Sequence, residues 1–174
     1  MKKLFALLLA LGMLCSFAMA EEAEVLELSW DSVSDDVKAL GSFQQVSLQD
    51  PALTLVYWVP QNMAARDVAE IGTEGLVAAF ATDDDAYTIS VYGLAVPSLE
   101  EYTAGVGVTE ENAKLFYTNG IQAIGAELAE SDIDMVIIPV TENIILVYAF
   151  TPLNGDEDWD AVKAAVVASI QLAE

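Results

Sequence analysis

Residues 144–150 read Ile-Ile-Leu-Val-Tyr-Ala-Phe and are apolar at every position. Residues 135–140 read Met-Val-Ile-Ile-Pro-Val, and only Thr141-Glu142-Asn143 separates the two runs. A connection of three residues is too short for a parallel crossover, so the pair predicts an antiparallel hairpin. An antiparallel sheet usually leaves one face to water, yet a continuous apolar run has no polar face. The sequence therefore predicts a sheet that is covered by helices on both sides.

Three further pairs of β-rich runs surround short turn signals and extend this predicted sheet. The pairs are Phe43–Leu48 with Leu53–Val59, Leu76–Ala81 with Ala86–Leu94, and Lys114–Thr118 with Ile121–Leu128. The last pair is joined by Asn119-Gly120, a strong signal for a two-residue hairpin turn, which we prefer to a helix across residues 109–130. Because residues 53–59 are apolar toward both sides, that run is predicted to be a central strand.

Two short helices are predicted before and between these hairpins. Apolar residues at helical spacing, followed by Gly41, predict a helix from Asp31 to Leu40. Ser98 and Glu101 have the spacing of a capping box, in which each side chain bonds the other residue's backbone N–H. A second helix is therefore predicted to begin just after Ser98.

The last predicted helix runs from about Asp158 to Leu172. Its inner face is formed by Trp159, Val162, Val166 and Ile170. Lys163 lies off this face and is predicted to point toward solvent.

The first 20 residues have the pattern of a cleavable signal peptide. Lys2 and Lys3 form a short basic start, and residues 4–17 are apolar. Ala18 and Ala20 place small residues at the −3 and −1 positions of a cleavage site. Cleavage is therefore predicted directly after Ala20, and the apolar stretch is too short for a retained membrane span.

Cys15 raises the question of a lipoprotein, because a lipidated cysteine would anchor the chain. A lipobox needs a small residue directly before its cysteine, and Leu14 stands there. Cys15 is therefore predicted to be lost with the signal peptide. Residues 21–29 are predicted to be a loose leader, and residues 30–174 a single domain.

The charge of the chain excludes whole classes of partner. It has 28 acidic and six basic residues, and loss of Lys2 and Lys3 changes the net charge from −22 to −24. Nucleic acid is excluded as a partner. No basic amphipathic stretch would hold the cleaved protein on a membrane. We expect a secreted or extracytoplasmic protein, at the cell surface or in the periplasm, whose charge promotes solubility.

The residue types of the cleaved chain exclude most catalytic chemistry. The sequence has no histidine, and its one cysteine is Cys15. A Ser-His-Asp triad, a Cys-His pair and the usual zinc sites are therefore excluded, and no glycine-rich phosphate loop occurs. Only paired carboxylates or a Ser-Lys pair remain. We expect a non-catalytic protein with no catalytic residues and no cofactor.

Two acidic clusters are the candidates for a cation site. They are Asp83, Asp84 and Asp85 in one segment, and Asp156, Asp158 and Asp160 in the other. Calcium takes six to eight oxygens from a curved loop, and neither cluster has the spacing of an EF-hand. We interpret the first as a solvated hairpin tip and the second as the acidic start of a helix, where carboxylates cap backbone donors. No metal site is therefore predicted.

Two tyrosines are the candidates for a partner surface. Tyr87 and Tyr92 flank Ile89 and Val91 in one predicted strand, and they would be accessible if one strand face were left uncovered. The other aromatic residues lie in predicted strands and in an inward helix stripe, so we assign them to the core.

Five short motifs give the sequence a resemblance to a known fold group. They are Trp58–Pro60, Ser98–Tyr102, Asn119–Ile121, Phe150–Pro152 and Ala168–Gln171. The chain resembles small exported bacterial proteins of the PsbP-like fold group, relatives of an extrinsic lumenal subunit of photosystem II, over most of residues 43–172. The resemblance implies an α+β fold, an α/β/α sandwich with a central antiparallel sheet. A cystatin-like or NTF2-like fold is the alternative.

The resemblance also bears on function. Photosynthetic members of the group hold metals partly through histidine, so no such site carries over to a chain without histidine. We expect an exported, non-catalytic domain that binds an unidentified protein or envelope component. The alternatives are an extracytoplasmic protein that binds a small ligand or a cation, and a carboxylate-dependent hydrolase.

Overall fold

The computed structural model describes residues 26–49 and 52–173. These residues form a mixed α+β fold dominated by one large sheet, which confirms the predicted class. The strands are β1 (Glu27–Leu28), β2 (Gly41–Gln49), β3 (Ala52–Pro60), β4 (Ala64–Ala65), β5 (Leu76–Ala81), β6 (Thr88–Ala95), β7 (Ala113–Thr118), β8 (Ile121–Leu128), β9 (Ile133–Pro139), β10 (Ile144–Thr151) and β11 (Gln171–Ala173). The α-helices are α1 (Asp35–Lys38), α2 (Val68–Ile71), α3 (Leu99–Gly105) and α4 (Glu157–Ala168).

The large sheet has eight strands in the order β1-β7-β8-β9-β10-β6-β5-β4. The predicted hairpins β5–β6, β7–β8 and β9–β10 are confirmed as antiparallel pairs. The turn between β7 and β8 follows the sequence signal, since Asn119 (φ 47°) and Gly120 (φ 77°) both adopt positive φ. Two successive residues of that kind define the tight hairpin turn that Asn-Gly favours.

Strands β2 and β3 do not extend the large sheet. They form a second sheet of three strands in the order β11-β3-β2. β3 is central in this small sheet, as predicted for residues 53–59. The predicted helix over residues 158–172 is wrong at its end, because α4 stops at Ala168 and Gln171–Ala173 pairs with residues 54–56 of β3. This pairing satisfies a backbone edge of β3 that a longer helix would leave open.

Strand β10 is buried on both faces, as its continuous apolar run predicts. Leu146 and Tyr148 point into a core shared with β3 and α4. Ile145 and Val147 point the other way, into a smaller core where α3 packs. All four side chains are at most 1% exposed. The side-chain alternation of a strand therefore divides one continuous apolar run between two cores.

The helix starts follow local sequence signals. The Ser98 hydroxyl accepts a hydrogen bond from the backbone N–H of Glu101 (3.1 Å), so the predicted start of α3 is confirmed. The helix predicted from Asp31 to Leu40 is shorter than expected. A 3₁₀ turn at Trp30–Ser32 ends at Val33, which has extended backbone, and Ser34 then caps α1. A second N-cap inside the segment separates the two helical turns.

The leader predicted over residues 21–29 needs correction at its described end. Glu27–Leu28 forms β1, which pairs in parallel with β7. The carbonyl oxygens of Leu26 and Leu28 accept backbone hydrogen bonds from β7 and from the turn that follows it, each at 2.9 Å. The predicted signal peptide, with Cys15, Ala18 and Ala20, lies outside the described residues. No helix in the described part of the chain is long and apolar enough to cross a membrane.

Candidate functional site

A cleft of about 180 Å³ opens where β3 ends, β5 turns into β6, and α4 begins. It is lined by Pro60, Asn62, Met63, Thr82, Tyr87, Asp156, Asp158, Trp159 and Val162. Two of these residues are carboxylates, two are large aromatics, and none is basic. The cleft therefore combines negative charge with aromatic surface.

Side-chain hydrogen bonds shape the turn between β5 and β6. The Thr82 hydroxyl donates to Asp84 Oδ1 (2.8 Å), and the backbone N–H of Ala86 donates to the same oxygen (3.2 Å). These bonds lower the pKa of Asp84, the Thr82 hydroxyl most strongly, because they stabilise the ionised carboxylate. Beside it, the Arg66 guanidinium pairs with Asp85 and donates to the Thr82 carbonyl oxygen (3.0 Å). The turn is thus held in one shape.

The start of α4 forms the opposite wall. Asp156 is its N-cap, and Asp156 Oδ1 accepts the backbone N–H of Trp159 at 2.9 Å. The Trp159 indole N–H donates to the Pro152 carbonyl oxygen (2.8 Å), which fixes the ring. Gly155 has to lack a side chain here, since a Cβ would lie 2.3 Å from the Trp159 ring. An acidic cap and a fixed indole ring are therefore presented together at the cleft.

Tyr87 joins the two walls. Its hydroxyl donates to Asp156 Oδ2 (3.2 Å), and its ring packs on Trp159 with 4.9 Å between ring centroids. Partial burial raises the pKa of the Tyr87 hydroxyl, and the negative charge of Asp156 raises it further. The tyrosine therefore remains a neutral donor to the carboxylate.

The structure brings the two predicted acidic clusters to one end of the fold. Asp156 and Asp158 line the cleft, and Asp83, Asp84 and Asp85 lie in the turn at its border. Asp160 instead pairs with Lys163. Across residues 26–49 and 52–173, no group of three or more acidic, cysteine or histidine side chains could hold a metal ion.

The two candidate tyrosines do not form one surface. Tyr87 packs against the core shared with β3 and α4, whereas Tyr92 packs against the core beneath α3. The two residues are five positions apart, with Tyr87 directly before β6 and Tyr92 within it, so side-chain alternation places them on opposite faces of the large sheet. The prediction that Tyr87 and Tyr92 share one strand face is corrected by this arrangement, and a partner role for either residue stays a prediction.

Lys163 is not the solvent-facing residue that the sequence predicts. Its side chain is only 12% exposed, and its ammonium bonds the Leu153 carbonyl oxygen (2.9 Å), Asp160 (3.0 Å) and Asp134 (3.1 Å). Burial alone would lower the pKa of Lys163, but its bonds to Asp160 and Asp134 raise the pKa overall. The position of Asp160, three residues before Lys163, is a sequence signal for an ion pair between them. The pairing with Asp134 has no such signal, because Asp134 lies in the distant strand β9.

The cleft suits a small positively charged group. An ammonium or guanidinium is attracted both to carboxylates and to the faces of aromatic rings. Among the described residues, no ion pair involves Asp156 or Asp158, so neither carboxylate is neutralised by a basic side chain. The volume is below the roughly 300–1,000 Å³ of pockets for drug-sized ligands, and fits a side chain or a small amine.

Comparison with solved structures shows a similarity in fold. The solution structure of cyanobacterial PsbP (CyanoP) from Synechocystis sp. PCC 6803 matches with a TM-score of 0.49 and 15% sequence identity, over 76% of this chain and 93% of that chain. It bears the name of the fold group that the sequence motifs resemble. No protein-family model matches the chain, and no curated protein matches it.

Proposed function

We propose that this protein is a non-catalytic, extracytoplasmic binding domain whose cleft takes a positively charged group. The group is an ammonium or a guanidinium, which a lysine or arginine side chain of a protein partner and a free small amine supply equally. The observation that carries the proposal is the Tyr87–Asp156 hydrogen bond, because it assembles carboxylates and aromatic rings from two distant segments into one cleft.

A binding role fits the way in which the acidic groups are used. Asp156 accepts hydrogen bonds from Tyr87 and from the N-terminus of α4, and Asp84 accepts two within its turn. The hydrogen bonds to Asp84, in the turn that borders the cleft, lower its pKa because they stabilise the ionised carboxylate. The net charge of −22 adds a long-range field of the same sign.

Export and the layer arrangement complete the proposal. The signal-peptide pattern of residues 1–20 supports release across a membrane, and the partner is then an extracytoplasmic protein or envelope component. We assign a PsbP-like sandwich in which α3 covers one face of the large sheet, and α4 with the small sheet covers the other. The core contacts of these elements support this arrangement.

An NMR titration tests the cleft with two matched probes. N-acetyl-lysine methylamide carries the cation, and N-acetyl-norleucine methylamide has a similar chain without the charge. The lysine probe is expected to shift the signals of Asn62, Tyr87 and the Trp159 indole N–H with a saturating dose dependence. The norleucine probe is expected to leave them unchanged at the same concentration.

Two outcomes would overturn the proposal. Equal shifts from both probes would show that the cleft does not recognise charge. Shifts from the lysine probe that spread over acidic residues throughout the surface, without saturation, would show general attraction and no site. Arginine and free methylamine series then distinguish a side-chain ligand from a small amine.

A further inference from the structure

The longest sheet edge in the described part of the chain belongs to β2. This nine-residue strand pairs with β3 on one side, and no strand in residues 26–49 or 52–173 pairs with its other side. The strands at the other three sheet edges, β1, β4 and β11, are two, two and three residues long. Short edge strands prevent unwanted pairing, and β2 departs from that pattern.

β2 also lacks the usual devices that block an edge. Residues 41–49 read Gly-Ser-Phe-Gln-Gln-Val-Ser-Leu-Gln, with no charged residue and no proline. Natural edge strands commonly carry an inward charge, a lysine or a proline that prevents addition of another strand. Charged residues make up 20% of the chain, yet none occurs in this nine-residue edge. The edge therefore offers an added strand a continuous row of backbone hydrogen-bond donors and acceptors.

Exposed apolar side chains lie at the start of this edge. Phe43 is 43% exposed and Leu40 is 63% exposed. The Trp30 ring packs edge-on against Phe43, with 5.1 Å between centroids. These apolar residues form a surface on which a side chain of an added strand can pack. Farther along β2, Gln45 and Ser47 are exposed and polar.

The charge beside the edge is negative. Asp31, Asp35 and Asp36 are exposed in the segment that packs over the start of β2, and no ion pair in the described residues involves them. The one basic residue of that segment, Lys38, has its ammonium 5.4 Å from the Trp30 ring centroid. A second copy of this chain, with its own charge of −22, would be repelled, and a basic segment would be attracted.

We infer that the outer edge of β2 binds an extended basic segment of a partner protein by strand addition. Backbone hydrogen bonds along residues 41–49 supply the pairing, Phe43 and Leu40 receive an apolar side chain, and Asp31, Asp35 and Asp36 attract the basic ones. None of these residues lines the cleft, so the inference stands whether or not the cleft binds a cation.

Amide hydrogen exchange on the full chain tests this inference with three synthetic peptides. The first alternates lysine with valine over ten residues, the second replaces each lysine by glutamate, and the third replaces two valines of the first by proline. The lysine peptide is expected to slow exchange at outward-facing amides of β2 at least tenfold. The glutamate and proline peptides are expected to leave those rates unchanged.

Two variants at exposed Gln45 provide a matched pair. Gln45→Lys places on the edge a charge that repels the basic peptide, and is expected to weaken its affinity about tenfold. Gln45→Glu is expected to keep or strengthen it. Asp158→Asn, in the cleft, is expected to leave this affinity unchanged, which separates failure here from failure of the proposed function.

Four results would overturn the inference. Binding of the lysine and glutamate peptides with equal affinity would exclude charge recognition, and equal binding of the proline peptide would exclude strand addition. Slow exchange along β2 in a dimer, without peptide, would assign the edge to a second copy. Slow exchange that is lost when residues 21–25 are deleted would assign it to the chain's own leader.

Discussion

The Tyr87 hydroxyl lies 3.2 Å from Asp156 Oδ2, although 69 positions separate the two residues in sequence. The bond fastens the turn between β5 and β6 to the start of α4, and the rings of Tyr87 and Trp159 pack together beside it. The result is a cleft in which Asp156 and Asp158 from the start of α4 face Thr82 and Tyr87 from the turn.

Tyr87→Phe is expected to lower the free energy of unfolding, because it removes the hydrogen bond from the Tyr87 hydroxyl to Asp156. The ring remains to pack on Trp159, so the loss reports the hydroxyl alone. Urea denaturation at pH 7 measures it. Tyr117→Phe is the control, because the Tyr117 hydroxyl makes no side-chain hydrogen bond within the described residues. Equal stability of the two variants would contradict a structural role for the Tyr87–Asp156 bond.

Tyr57→Phe and Tyr148→Phe are each expected to raise the stability by about 1 kcal/mol at pH 7. Both hydroxyls are buried without a hydrogen-bond partner among the described residues, and such groups are costly to desolvate. The rings meet edge to face, with 5.5 Å between centroids, and phenylalanine keeps that contact. Thermal melting measures the gain. A loss of 1 kcal/mol or more would show that these hydroxyls are hydrogen-bonded in solution.

Tyr57 and Tyr148 are also expected to make the protein less stable at alkaline pH. Burial raises the pKa of Tyr57 and of Tyr148, so the folded state retains protons that the unfolded chain releases above about pH 10. Stability therefore falls as the pH rises above that value. In the Tyr57→Phe and Tyr148→Phe variants the fall is expected to be shallower than in the wild type. Parallel curves from pH 9 to 11 would contradict this assignment.

Lys163→Met is expected to cost about 1–3 kcal/mol, because it leaves Asp134 without its buried partner. The raised pKa of Lys163 means that its stabilisation is complete below about pH 10.4, the unfolded value, and is lost as the pH rises through the folded value. The difference from wild type should therefore be constant from pH 7 to 9 and shrink only above about pH 10.4. Lys114→Met, at a side chain 83% exposed, is the control and should change little.

Substitutions of Asn119 test how the β7–β8 turn stabilises the end of α4. Its side-chain amide donates to the carbonyl oxygens of Ala168 (2.8 Å) and Ile170 (2.9 Å). Asn119→Gly keeps the positive φ but removes both bonds, and is expected to cost about 1–3 kcal/mol. Asn119→Ala should cost about 1 kcal/mol more, because alanine is strained at φ 47°. Equal stability of the two variants, measured by urea denaturation, would show that backbone conformation does not matter at this turn.

The features predicted correctly from the sequence are those encoded locally. The hairpins around Asn119-Gly120 and residues 141–143 have short turns between strand-forming runs, and Ser98 starts α3 through a bond three residues away. Each signal and its structural consequence lie within a few residues of each other. Local chemistry is therefore sufficient to predict them.

The features that the sequence could not give depend on distant partners. Gln171–Ala173 continues the helical apolar pattern, but its pairing with β3 more than 100 residues earlier makes it a strand. Lys163 follows a solvent-facing spacing, yet Asp134 in β9 draws it inward. The meeting of the two acidic clusters likewise depends on which loops the topology places together. Tertiary pairing overrides local propensity in each case.

The dissociation constant of N-acetyl-lysine methylamide for three forms of the protein tests the central claim most directly. Asp158→Asn removes one charge from the cleft, and Glu101→Gln removes one from the first turn of α3, across the large sheet. Both variants have the same net charge, so a general field effect would weaken binding equally. Asp158→Asn is predicted to weaken binding about two- to fivefold, as for the loss of an exposed charge pair, and Glu101→Gln to match the wild type. Equal weakening in both variants, or none in Asp158→Asn, would contradict a cation site in the cleft.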